Sequence, residues 1–255
     1  MPHDPMTTAV MAGLIALSVI GTMLIVRRLR GEAKREPSGP ERWTIIAATA
    51  LSVGDLAYRM TSIHGAWAPL RSHADGVLLI VGLIGGMTVY TQAMARLRGL
   101  ELFALPTMGL LAGWGLCASW WTFDQSQFAV DTIWNAMHIT AVYFGLAAVA
   151  VTAITGGLYL FVQRQLKSRD DPAARIRILG RTASLETIDR WLIGWATVAF
   201  IMLTVIGIAG SVEASTGESS LGKQWWASGK VIGTAAGWLI FGVLCHVRFT
   251  PQFRG

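Results

Sequence analysis

The sequence predicts an all-α fold, a polytopic bundle of about seven membrane-crossing helices, and three observations carry that prediction. Hydrophobic residues make up 53% of the 255-residue chain and charged ones only 14%, against about 25% charged in an average soluble domain. So few charges cannot solvate a globular surface. The 11 Trp and 28 Gly point the same way, because Trp gathers at membrane interfaces and Gly is frequent in membrane helices. The third observation is the confinement of the basic residues to alternate linkers. Soluble enzymes and disordered chains are disfavoured together. The net charge of +6 would point to nucleic acid in a soluble protein. Here its placement carries the information, and the expected surroundings are a lipid bilayer with no nucleic-acid partner.

A bilayer core takes roughly 20 apolar residues per helix. Seven segments qualify: Thr8–Val26, Trp43–Ile63, Gly76–Ala95, Leu102–Trp121, Trp134–Val162, Trp191–Gly210 and Val231–Val247. The first follows a stretch with no Lys or Arg and precedes no small-residue cleavage site, so it reads as a retained helix rather than a signal peptide. The second carries Asp55 and Arg59, which share a helix face at that spacing and could pair. Charges inside the hydrocarbon belong in the bundle interior or a polar cavity. They read as a structural ion pair or as part of a transport path. The third and fifth contain the pairs Gly85-Gly86 and Gly156-Gly157, which permit close helix packing. Between the fifth and sixth lies a long basic loop, 163–190, where Ala173–Leu185 could form a short surface helix. Internal repeats and Gly/Pro-broken helix pairs are lacking, which argues against an inverted-repeat transporter. One membrane domain, 1–255, accounts for the chain.

The linkers Arg27–Arg42, Arg96–Arg98 and Arg164–Arg190, with the tail Arg248–Gly255, hold 17 of the 21 basic residues. Every odd-numbered helix therefore ends at a basic segment. The positive-inside rule places the N-terminus outside, the 163–190 loop and C-terminus in the cytoplasm, and the chain in the cell's inner (plasma) membrane. Cys117 and Cys245 lie inside apolar runs and form no CxxC pair. That excludes thiol–disulfide chemistry, a zinc knuckle and a CxxCH haem-attachment site.

With this topology His64, His73 and His138 fall at the outer level, together with Trp67, Trp120, Trp121, Trp134, Trp225 and Trp226. His246 sits at the cytoplasmic end of the seventh span. A helix of the length from Trp226 to His246 covers about 30 Å, the thickness of the hydrocarbon core, so His138 and His246 cannot ligate one metal. Imidazole is a common axial ligand of haem iron, and indole faces can stack on a macrocycle. Interface Trp also simply anchors helices, and a helix-end His can be a plain hydrogen-bonding residue.

A more specific signal lies in the last 70 residues. The run LETIDRWLIGWATVAFIMLTVIGIAGSVEA leads into GKQWWASGKVIGTAAGWLIFGVLCHVR. It resembles the membrane haem-handling proteins of cytochrome c biogenesis, the CcsA/CcmC family and its HemX-like relatives. Their pattern is a helix, an external W-x-W-D-P-K motif, then a helix ending in T-W-L-I-Y-A-x-Y-L-H-x-R. Trp225, Lys230, Trp238, Leu239, Ile240, His246 and Arg248 fall on matching positions. Upstream, WNAMHITAVYFGLAAVAVTAITGGLYLFVQRQLK resembles the family helix that opens with His-Val, and His138 takes the outer ligand-histidine position. Ser72-His73-Ala74-Asp75 is similar to the family's Ser-x-x-Glu segment. The resemblance covers about residues 65–250.

The departures from the family pattern are equally specific. Ala227, Ser228 and Gly229 stand where the family has Trp, Asp and Pro, with Trp226 one residue from the missing indole. Relatives usually continue into an eighth span, and a second external ligand histidine follows the external motif in the biogenesis members. That histidine has no counterpart before Gly255. If haem binds outside, His138 needs another partner, and His73 or His64 is the candidate by level, ahead of Met137.

What the resemblance implies is transient binding of haem b at the outer face and its presentation during cytochrome c maturation. His138 would hold iron, Trp225 and Trp226 would cover the ring, and Lys230 would meet a propionate. His246 would be an inner haem waypoint or a cation at a helix C-terminus. The expected partners are other cytochrome c maturation membrane proteins and apocytochrome c, which must supply the thiols. This is an assembly factor more than an enzyme by itself. Two alternatives stay open: a HemX-like regulatory or scaffolding protein of haem biosynthesis, and a cytochrome b-type electron-transfer subunit. The last would need facing His pairs at one level.

Overall fold

Two of the helices open on proline, whose missing N–H costs nothing in a first turn. The computed structural model describes residues 5–29, 40–63, 72–95, 97, 99–118, 133–167, 183–215 and 225–250, and among these it has seven α-helices. They are α1 (Pro5–Leu29), α2 (Pro40–Tyr58), α3 (His73–Ala95), α4 (Glu101–Ala118), α5 (Ile133–Lys167), α6 (Leu185–Ser215) and α7 (Gly229–Phe249). A π-turn, Arg59–Ile63, continues α2, and a 3-10 turn, Trp225–Ala227, precedes α7. No strand occurs among the described residues. The all-α expectation holds. Six of the seven helices are long and apolar enough to cross a membrane; α2 is not. The surface helix expected over Ala173–Leu185 and the outer-level Trp67, Trp120 and Trp121 lie outside the described residues.

The first compact unit comprises residues 1–128 and 153–191. Within it α1 packs on α2, α2 on α3, α3 on α4 and α4 back on α1. The four helices close an up-and-down bundle of the kind short loops permit. Small residues set the close approaches. A Cβ on Gly21 would strike Leu105 and Thr44, one on Gly85 would strike Thr49, and one on Gly109 would stand 2.8 Å from Ser18. The α3–α4 turn needs Gly99, whose φ of 100° lies in the left-handed region. The Glu101 carboxylate accepts the Gly99 N–H at 2.8 Å and so caps α4.

The second unit comprises residues 129–152 and 192–255. It contains the N-terminal part of α5, most of α6, and α7. Ser228 caps α7, its hydroxyl accepting the Val231 N–H at 3.3 Å. Helix α7 is the most exposed span of all. Its outward residues Ile232, Leu239, Ile240, Val243, Leu244 and Val247 form the surface that a bilayer would solvate.

Candidate functional site

The first turns of α5 carry Trp134, Met137 and His138. Trp134 and His138 are four residues apart and therefore share a face. Trp134 and Met137 are exposed, whereas His138 is half-buried. The imidazole turns its Nδ1–Cε1 edge to α6 at Gly210: a methyl carbon built there would stand 2.9 Å from Cε1 and 3.1 Å from Nδ1 of His138. That Nδ1 is closed to solvent and has no hydrogen-bond partner among the described residues. An enclosed ring nitrogen without a partner is uncommon.

Packing along α5 and α6 fixes the level of this histidine. The same antiparallel seam recurs two turns inward, where a Cβ on Gly145 would meet Met202 at 3.0 Å. Helices α6 and α7 form a second antiparallel seam. Trp238 Nε1 donates to Thr204 Oγ1 at 2.9 Å, and its indole stacks on Phe200 with centroids 5.5 Å apart. Gly242 receives the Phe200 ring, and Thr197 lies beside Cys245 at 3.9 Å. In this register Gly210 stands opposite about Ile232 of α7. Lys230 therefore lies about 3 Å beyond the level of His138 and Trp226 about 9 Å beyond it, with Trp238 about 9 Å away in the opposite direction along α7. His246 is about 21 Å away in that same direction.

The sequence-derived candidates thus separate into groups. His138, Trp226 and Lys230 share one end of the second unit, and both Trp226 and Lys230 are exposed. Trp225 belongs to the 3-10 turn that brings the chain onto α7; of that residue only the backbone is described. Trp238 sits in mid-helix with its N–H engaged and its ring stacked. His246 is exposed near the far end of α7, where its carbonyl accepts the Thr250 N–H at 3.0 Å and its hydroxyl at 2.7 Å. His64 lies outside the described residues.

His73 belongs to the first unit. It is exposed at the start of α3, inside a reciprocal cap. The Ser72 hydroxyl accepts the Asp75 N–H at 3.1 Å, and Asp75 Oδ2 accepts the Ser72 N–H at 2.9 Å. Arg59 holds this cap from α2, its Nε donating to Asp75 Oδ1 at 2.5 Å and its Nη2 to the Ser72 hydroxyl at 3.0 Å. A further donation reaches the Thr7 hydroxyl of α1. A carboxylate on the Arg59 guanidinium is thus Asp75 of the next helix, a partner that spacing along α2 does not reveal.

Sequence reasoning did not single out Gly210, Thr204 or Phe200. A glycine has no chemical signature, and its importance here comes from the ring it faces across a hairpin. Among the described residues no three His, Cys, Asp or Glu side chains converge on a possible metal position. A bare ion has no cage here. A ligand that brings most of its own donors needs only one or two from the protein.

The family model described as Cytochrome C assembly protein matches residues 70–255. Neither the curated proteins nor the solved structures contain a match.

Proposed function

The chain belongs to the cytochrome c assembly protein family, and on that premise we propose that it holds haem b at the outer face of the inner membrane and presents it for attachment to apocytochrome c. The observation that carries this reading is His138: a half-buried imidazole at a helix rim, with an enclosed and unpartnered Nδ1, beside exposed indoles. Neutral imidazole is the standard protein donor to haem iron, and a porphyrin supplies the other four equatorial donors itself. The residues present fit one axial position.

In this reading His138 supplies the axial nitrogen, Trp225 and Trp226 cover the ring face, and Lys230 meets a propionate as a point charge. Trp238, engaged with Thr204 and Phe200, holds the α6–α7 seam rather than the cargo. His246 belongs to another level of the membrane. The bound haem supplies the reactive vinyl groups, and the partner proteins supply reduced cysteine thiols.

The orientation follows the basic linkers, with the N-terminus outside and the C-terminus in the cytoplasm. Helix α2 crosses with its neighbours, because it packs antiparallel between α1 and α3 despite its polar composition.

The test is the visible spectrum of the full chain, purified in mild detergent and supplied with haemin. A Soret band that is lost or reshaped in His138→Ala is expected. No band in the wild type, or an unchanged one in His138→Ala, would end the reading.

One observation favours a second version. Ser228, standing where the family has Asp, is committed to capping α7. A HemX-like scaffolding role in haem biosynthesis needs no complete tryptophan platform. Co-purification separates the two: cytochrome c maturation proteins support presentation, and haem-synthesis enzymes support the scaffold.

A further inference from the structure

A ligand histidine usually has its second nitrogen bonded to a carboxylate, carbonyl or water. That bond fixes the ring and raises its basicity. His138 lacks such a bond among the described residues. The ring is nevertheless fixed, because its Nδ1–Cε1 edge rests on the bare backbone of Gly210. We infer that Gly210 is a positioning residue for His138, a steric seat that orients the imidazole in place of a second-shell hydrogen bond.

The closeness of the contact carries the inference. A Cβ at Gly210 would stand 2.9 Å from Cε1, nearer than side-chain carbons pack, so any other residue drives the ring off its seat. The neighbouring Gly207, one turn away on the same helix, has nothing within 4 Å of its Cβ position. The same substitution there is sterically free. The α5–α6 seam also repeats the device at Gly145 beneath Met202, so the two helices keep a separation that only glycine at these points allows.

The seat has a chemical consequence, which rests on the haem reading above. An imidazole oriented by packing alone receives no polarising hydrogen bond at Nδ1. It binds iron more weakly than a hydrogen-bonded ligand would. Weak, well-aimed ligation suits a protein that must give its cargo away.

The experiment uses the full chain in detergent as wild type, Gly210→Ala, Gly207→Ala and His138→Ala. The first readout needs no haem: the rate of His138 carbethoxylation by diethylpyrocarbonate, resolved by peptide mass. Gly210→Ala is expected to change that rate at least threefold, and Gly207→Ala to leave it within experimental scatter. The second readout is transfer of bound haemin to apomyoglobin, expected to be about tenfold faster from Gly210→Ala. A carbethoxylation rate unchanged in Gly210→Ala overturns the seat. A changed rate in a protein that binds no haemin upholds the seat and removes the haem reading. Should Gly210→Ala fail to fold, solid-state NMR of the wild type decides. A dipolar coupling between histidine ring ¹⁵N and glycine ¹³Cα that disappears in His138→Gln upholds the contact, and its absence overturns it.

Discussion

Arg59 and Asp75 meet across the α2–α3 interface at 2.5 Å, with side-chain exposures of 8% and 1%. The pair lies in a bundle with apolar surroundings, where desolvating two charges is expensive. Further donors and acceptors of the pair bond to neighbours: Nη2 to Ser72, another donor to Thr7, and Oδ2 to the Ser72 N–H. One guanidinium thereby joins the starts of α1 and α3 to the end of α2.

Breaking such a pair from one side leaves a buried, uncompensated charge, which costs about 3–5 kcal/mol. Replacing both partners by apolar residues of similar size removes that charge. We expect Arg59→Met and Asp75→Leu each to lower the midpoint of thermal unfolding in detergent sharply. The double variant should recover most of the loss. A double variant no more stable than the worse single one would show that the hydrogen bonds to Ser72 and Thr7, rather than charge balance, hold this end of the bundle.

This cluster marks how far the sequence could be read. Hydropathy pointed to six of the seven helices as apolar runs of bilayer length, and α2 showed as a shorter, more polar one. Helices α5 and α6 continue past the apolar segments at the basic loop. Gln163–Lys167 and Leu185–Arg190 are helical, because Lys, Arg, Glu and Gln are good helix formers that extend the rod beyond the apolar slab. The i,i+4 rule sees only contacts within one helix, so it joined Arg59 to Asp55. A π-turn begins at Arg59, and its guanidinium reaches across to the cap of α3, a contact that rule does not see. The position of His138 was legible through its family resemblance. Its seat on Gly210 was not, because the partner is defined by the absence of a side chain.

Trp238 tests the boundary between the site and its scaffold. Its N–H donates to Thr204 at 2.9 Å and its ring stacks on Phe200 at an interplanar angle of 29°. Interhelical hydrogen bonds in membranes average about 0.6 kcal/mol. Trp238→Phe keeps a stacking ring and loses the bond, so a stability loss of about 1 kcal/mol is expected, with no further loss when Thr204→Val is added. The Soret band should not move, since the Trp238 ring and N–H are both engaged within the α6–α7 seam. A shifted band in Trp238→Phe would return this indole to the haem contacts.

The two ends of α7 provide the test of orientation. Lys230 is exposed one residue into the helix, and Thr250 follows its last turn. On a background with Cys117→Ala and Cys245→Ala, Lys230→Cys and Thr250→Cys each offer a single thiol. If the basic linkers face the cytoplasm, a membrane-impermeant maleimide added to intact cells stripped of any outer membrane labels Lys230→Cys at once. It labels Thr250→Cys only after permeabilisation. The reverse pattern would put Lys230 and His138 on the cytoplasmic face, away from the apocytochrome. Labelling of both from outside would mean that α7 lies along the surface, where its single buried residue, Cys245, would anchor it rather than a crossing of the bilayer.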